Sequence, residues 1–143
     1  MIELTFTPDE VMLGAFHGLT RRSQKLHGNR GDREQRGRST WDNEIEGACA
    51  EIAFCKMRGI YWSGVSGMKS KDGGNVDIRW TKHYETGGLI VYPKDDGYFV
   101  LMDGFAPHLR VIGYMQAAHA KQEKWLDIGG YYLVPRTELK PYL

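Results

Sequence analysis

The hydrophobic period of this chain changes at Gly59, and that change restricts the possible folds more than any other feature. Upstream, between Asp42 and Arg58, Ile45, Ala48, Cys49, Ile52 and Cys55 recur at helical spacing. Such a stripe is buried economically only as one side of an α-helix, and Gly59 stands where a C-terminal cap belongs. Downstream the period becomes two, with Val76, Ile78 and Trp80 alternating with Asp77, Arg79 and Thr81. That is the pattern of a strand with one apolar face. A helix stripe and a strand face that share one core must pack on each other.

The remaining elements extend this reading. Thr7-Pro8-Asp9-Glu10 combines a capping threonine, a first-turn proline and acidic charge at the positive end of the helix dipole, so a helix is predicted from there to about Leu26. Strands are predicted at Gly88 to Tyr92, Tyr98 to Met102, Leu109 to Tyr114 and Tyr131 to Val134. Asp95-Asp96-Gly97 reads as a hairpin turn and Ala117 to Trp125 as a short helix. The expected class is α/β of the α+β kind, with a mixed central sheet flanked by helices in one domain spanning residues 1–143. The 143 residues, 41% of them hydrophobic, suit a single core, and four Trp, eight Tyr and five Phe exclude a disordered chain. No apolar run approaches the ~20 residues of a membrane-spanning helix. Met1-Ile2-Glu3-Leu4 lacks a charged leader followed by an apolar core, so a cytoplasmic protein with no membrane partner is expected.

Net charge is only +1, but it is unevenly spread. Residues 21–38 carry Arg21, Arg22, Lys25, Arg30, Arg33, Arg36 and Arg38 against Asp32 and Glu34, a local +5 that leaves −4 on the rest. From His27 to Thr40 the chain is polar, basic and interrupted by Gly28, Gly31 and Gly37, which predicts a mobile loop. Arg30, Arg33, Arg36 and Arg38 are its candidate DNA contacts, able to track a phosphate backbone. Cys49 and Cys55, six apart within a helix, suit neither a disulfide nor zinc spacing and are expected as buried free thiols. Trp62, Trp80, Tyr84 and Tyr98 are expected to pack into the core and not to stack on bases.

Familiar catalytic motifs are missing. Gly67-Met68-Lys69-Ser70 ends like a phosphate-binding loop, but Trp62 occupies the leading glycine position. The five histidines lack close metal-ligand spacing, and there is no nucleophile elbow. What remains is a group of acids. At 100° per residue Glu44 and Glu51 share one flank of the apolar stripe, which could bring Glu51 beside a sheet. Asp72 lies in Lys71-Asp72-Gly73-Gly74-Asn75, and a turn at the two glycines would let it approach Asp77. Asp72 and Asp77 together would bind a hard cation, Mg2+ or Mn2+, through oxygen ligands. Arg79, on the face of Asp77, would hold a permanent positive charge near a phosphate. Lys94 either begins a turn after Pro93 or supplies a lysine to the same place.

At Glu51, Asp72 and Asp77-Ile78-Arg79 the sequence resembles the PD-(D/E)XK nuclease superfamily. That family's pattern is a helix Glu, an Asp at a turn or strand end, and an acid-x-Lys triplet on the next strand. The resemblance implies a restriction-endonuclease-like core and metal-dependent hydrolysis of DNA phosphodiester bonds. Asp72 and Asp77 would be the metal ligands, Glu51 would orient the water or a second ion, and Arg79 would stabilise charge on the phosphate. Two departures stand out: arginine replaces the lysine, and Lys71 replaces the proline that usually precedes the first acid. From about residue 44 to the end, the chain also looks like a group of small bacteriophage proteins, on Glu46 to Phe54, Asp77 to Thr81, Gly88 to Val91 and Val111 to Tyr114. The alternative expectation is a nuclease fold that binds DNA or a host protein without cutting.

Overall fold

The structure, a computed structural model, describes residues 1–27, 40–62, 68–69 and 75–142. In chain order its elements are β1 (Ile2–Thr5), α1 (Pro8–His27), α2 (Thr40–Arg58), β2 (Met68–Lys69), β3 (Asn75–Trp80), β4 (Leu89–Val91), β5 (Tyr98–Phe105), β6 (His108–Gln116), α3 (Ala117–Ala120) and β7 (Tyr132–Val134). Five strands form one sheet in the order β1-β6-β5-β3-β2, and β4 pairs with β7 in a separate ribbon. The β3–β5 pair is parallel and the other pairs of the large sheet are antiparallel. This is an α+β fold with a mixed sheet flanked by helices, as the sequence predicts.

Local chemistry explains both long helices. The Thr7 N–H donates to Glu10 Oε1 at 2.9 Å and the Glu10 N–H donates to Thr7 Oγ1 at 3.3 Å, a reciprocal capping box. At the far end of α2, Gly59 adopts φ +64°, and the N–H groups of Gly59 and Ile60 donate to the carbonyls of Lys56 and Cys55. These two bonds satisfy carbonyls that the last helical turn would leave unpaired. The helices meet where α1 is smallest: a Cβ on Gly14 would lie 2.3 Å from Cys49 Sγ, and one on Gly18 would lie 2.4 Å from Ile45 Cα.

The sheet separates two apolar layers. On one face, Val76, Ile78, Val100, Met102, Leu109 and Val111 pack against Ala50, Ala53 and Phe54 of α2. On the other, Phe99, Leu101 and Met115 pack against Leu89, Val91, Ala117, Ala120 and Val134, from the ribbon and α3. A register shift between Leu101 and Met102 keeps β5 and β6 in step with both layers. Cys49 and Cys55 are buried free thiols, and burial, followed by a neighbouring glutamate for each, pushes both up to about 11. That leaves them as unreactive packing groups.

Three local expectations are corrected, and one strand is added. No hairpin forms at Asp95-Asp96-Gly97, because β4 leaves the large sheet to pair with β7 and β5 enters parallel to β3. The chain turns at Tyr92 to Asp95 instead, where the Asp95 N–H donates to the Tyr92 carbonyl at 3.0 Å. The helix expected from Ala117 to Trp125 stops at Ala120 and resumes as a short 3-10 turn at Glu123–Trp125, with Gln122 extended between them. Tyr84 and Tyr98 are 48% and 36% exposed and so lie outside the core, while Trp62 and Trp80 pack against it. Finally β1, not among the expected strands although Ile2 and Leu4 alternate with Glu3 and Thr5, pairs with β6 at one edge of the sheet.

Candidate active site

Alternation along β3 decides where its charged residues point. Val76 and Ile78 face α2, so Asp77 and Arg79 project from the opposite face, in register with Phe99 and Leu101 of β5. There Arg79 lies between two carboxylates, donating to Asp95 Oδ2 at 3.0 Å and to Asp77 Oδ2 at 3.4 Å. Its guanidinium carbon also lies 4.7 Å from the Phe99 ring centre and 5.5 Å from that of Tyr92, both within cation–π range. Asp95 is fixed in turn by the Tyr92 N–H at 2.7 Å. Burial raises the Asp77 pKa above the usual aspartate value; Arg79 opposes this, and the negative charges of Glu51 and Asp95 reinforce it.

Glu51 approaches this group from another direction. Its flank of α2, shared with Glu44, faces α1: Arg21 spans the Glu51 carboxylate with bonds of 3.1 and 2.7 Å, and Lys25 pairs with Glu44. Trp62 Nε1 donates to Glu51 Oε2 at 3.2 Å, and the Arg21 guanidinium lies over the Trp62 ring. Glu51 is thus near enough for its charge to act on Asp77, yet the sheet surface bearing Asp77 faces away from α2 and the Glu51 oxygens are engaged elsewhere.

Asp72 lies outside the described residues, as do Arg30, Arg33, Arg36 and Arg38. The other three cations of the basic stretch belong to α1 and not to a loop: Arg21 and Lys25 bind α2, and Arg22 is buried. Lys94 is exposed in the surface turn after Pro93. Among the described residues, no three His, Cys, Asp or Glu side chains form a group that could hold a metal ion.

A second charge cluster, absent from the sequence reading, lies on the same face of the sheet. Asp103 of β5 and Arg110 of β6 are direct cross-strand partners. Arg110 Nε and Nη2 donate to the two oxygens of the fully buried Asp103 carboxylate, each at 2.7 Å. The Glu85 N–H and Arg136 Nη1 donate to Asp103 Oδ2 at 3.1 and 3.0 Å. Burial works to raise the Asp103 pKa, but these donors outweigh it and hold the group below its ordinary value. Arg136 also donates to the carbonyls of Gly87 and His83, tying the strained turn around Glu85 (φ +66°) to the sheet. An aspartate immediately after Val100-Leu101-Met102 was the available signal, because its place in the strand alternation turns it inward.

No family model matches the chain, and no curated protein or solved structure matches it. No helix among the described residues is long and apolar enough to cross a membrane.

Proposed function

We propose that this chain is a small nuclease-like protein acting on DNA, with Asp77 as a ligand for a divalent cation that assists phosphodiester hydrolysis. One observation carries the reading: Asp77 and Arg79 project from the same face of β3 beside Asp95, so carboxylates and a permanent cation share one place on the sheet, where burial also raises the Asp77 pKa. Carboxylate oxygens are the donors that Mg2+ and Mn2+ prefer, and a bound cation would offset the charge that burial penalises. Carboxylate oxygen is thus the right type of donor, but the described residues around Asp77 do not by themselves form a group that could hold an ion, and Asp72 is the second ligand that the resemblance implies. When bound, the ion would lower the pKa of a water molecule and offset charge on the phosphate.

The chain's own residues contribute position and charge. Arg79 is held by Asp77, Asp95 and two aromatic rings, so its guanidinium is pre-set to donate to a phosphate oxygen in place of one carboxylate. It cannot surrender its proton at neutral pH and takes no part as a base. Arg30, Arg33, Arg36 and Arg38 supply backbone contacts to the nucleic acid. Glu51 acts on the site through its charge, while its oxygens are held by Arg21 and Trp62.

A second reading is favoured by one specific feature. Arg79 already pairs with Asp77 and Asp95, and Arg21 already pairs with Glu51. This arrangement suits a nuclease fold that binds DNA or a host protein without cutting it. Cleavage assays on linear, nicked, branched and single-stranded DNA in Mg2+ or Mn2+, with EDTA as control, separate the two. Under the first reading the wild type cuts, Asp77→Asn does not, and Arg79→Lys retains or raises turnover. No cleavage by wild type or Arg79→Lys, with no Mn2+ bound at millimolar concentration, leaves the binding protein.

A further inference from the structure

Helix α1 is mounted with its apolar side outward. Its inner face presents Gly14, Gly18 and Arg22 to the rest of the protein, and the glycine contacts with Cys49 and Ile45 prevent it from rolling. The pairs Glu10 to Lys56, Arg21 to Glu51 and Lys25 to Glu44 hold the same orientation along its length. Met12, Phe16, Leu19 and Leu26 consequently face solvent, at 67%, 65%, 45% and 51% exposure. With Ser23 they follow the alternating four-and-three spacing of a helix-pairing seam. A helix whose largest apolar residues point away from its own core is built to be covered by something else.

Outside the described residues, little apolar side chain is left in this sequence to cover the stripe. Residues 28–39 contain no apolar side chain at all, and the only large apolar residues in the other segments are Val65 and Leu143. The stripe does, however, match itself when reversed. About Leu19, Met12 and Leu26 are placed symmetrically, while Phe16, three residues before Leu19, comes within one residue of facing Ser23, four residues after it, a bulky residue near a small one. Antiparallel pairing also opposes the two helix dipoles and sets the exposed Asp9 in the first turn of one helix against the exposed His27 in the last turn of the other. We infer that a second copy of this chain covers the stripe, forming a two-fold dimer in which the α1 helices pack antiparallel with Leu19 near the axis.

The test is the oligomeric state of the full chain, measured by sedimentation over a wide dilution series. A concentration-dependent dimer is expected, and Phe16→Glu and Leu19→Glu should each raise its dissociation constant by at least about 30-fold. Both positions are exposed in the monomer, so far-UV circular dichroism and the thermal midpoint at low concentration should match the wild type. Geometry is read by cysteine linking under mild oxidation, since Cys49 and Cys55 are buried. Leu19→Cys should link to itself, and Met12→Cys should link to Leu26→Cys in mixed samples but not to itself. A monomer at every concentration overturns the inference, whether or not that monomer adsorbs to phosphatidylserine vesicles. So does a dimer that both glutamate variants leave intact, or one in which Met12→Cys links only to itself.

Discussion

Arg21 of α1 grips both oxygens of the Glu51 carboxylate on α2, with bonds of 3.1 and 2.7 Å and both side chains less than one-fifth exposed. Removing one partner of so sheltered a pair strands the other. Arg21→Met is therefore expected to cost about 1–3 kcal/mol in urea unfolding. Glu51→Gln should cost less, because its amide oxygen still accepts from Trp62 Nε1. A double-mutant cycle that returns no coupling between positions 21 and 51 would show the pair to be structurally idle.

Asp103 is the most heavily bonded carboxylate described, and it has no exposed surface. Asp103→Asn leaves Arg110 and Arg136 without their counter-charge and should destabilise the fold by about 3–5 kcal/mol. The pH dependence has a defined sign. Because the folded-state pKa is lowered, the stabilisation is present above the ordinary aspartate value of about 3.9 and disappears as pH falls through the lower folded value. Acid titration of stability in wild type and variant checks this, and identical curves would refute it.

Asp77 has the opposite linkage. Its folded-state pKa is raised, so only at pH values between the unfolded and the folded pKa does the native state keep a proton that the unfolded chain has released. Its favourable contribution is complete below about 3.9 and is lost as pH rises through the folded value. At neutral pH Asp77→Asn should thus leave stability unchanged or raise it by less than about 1 kcal/mol, solvent screening of the partly exposed carboxylate keeping the effect small. Marked destabilisation at neutral pH would instead make the bond to Arg79 the dominant interaction.

Two glycines of the helix pair predict opposite outcomes. Alanine at Gly18 drives a methyl against the Ile45 backbone, which cannot step aside, and should destabilise by about 1–3 kcal/mol. Alanine at Gly47, with nothing described within 4 Å of its added Cβ, should stabilise α2 by about 0.5–1 kcal/mol. Thermal melts of the two variants should move in opposite directions, and parallel shifts would contradict the packing at the α1–α2 seam.

Sequence alone determined the features that depend on near neighbours. The capping box at Thr7 and Glu10, the helical stripe from Ile45 to Cys55, the stop at Gly59 and the alternation from Val76 to Trp80 are each set by residues a few positions apart. The site was legible only as far as such spacing reaches, placing Asp77 and Arg79 on one strand face and Glu44 and Glu51 on one helix flank. Tertiary structure decided the rest, because partnership depends on how elements are rotated and registered. Ile2, Leu4 and Phe6 alternate with Glu3, Thr5 and Thr7, a period that names no partner, and the segment gains its place only by pairing with β6. Asp103 meets Arg110 only in the register that β5 and β6 adopt. Glu51 binds Arg21 because the close approach of Gly14 to Cys49 and of Gly18 to Ile45 sets the rotation of α1, which also turns Phe16 and Leu19 to solvent.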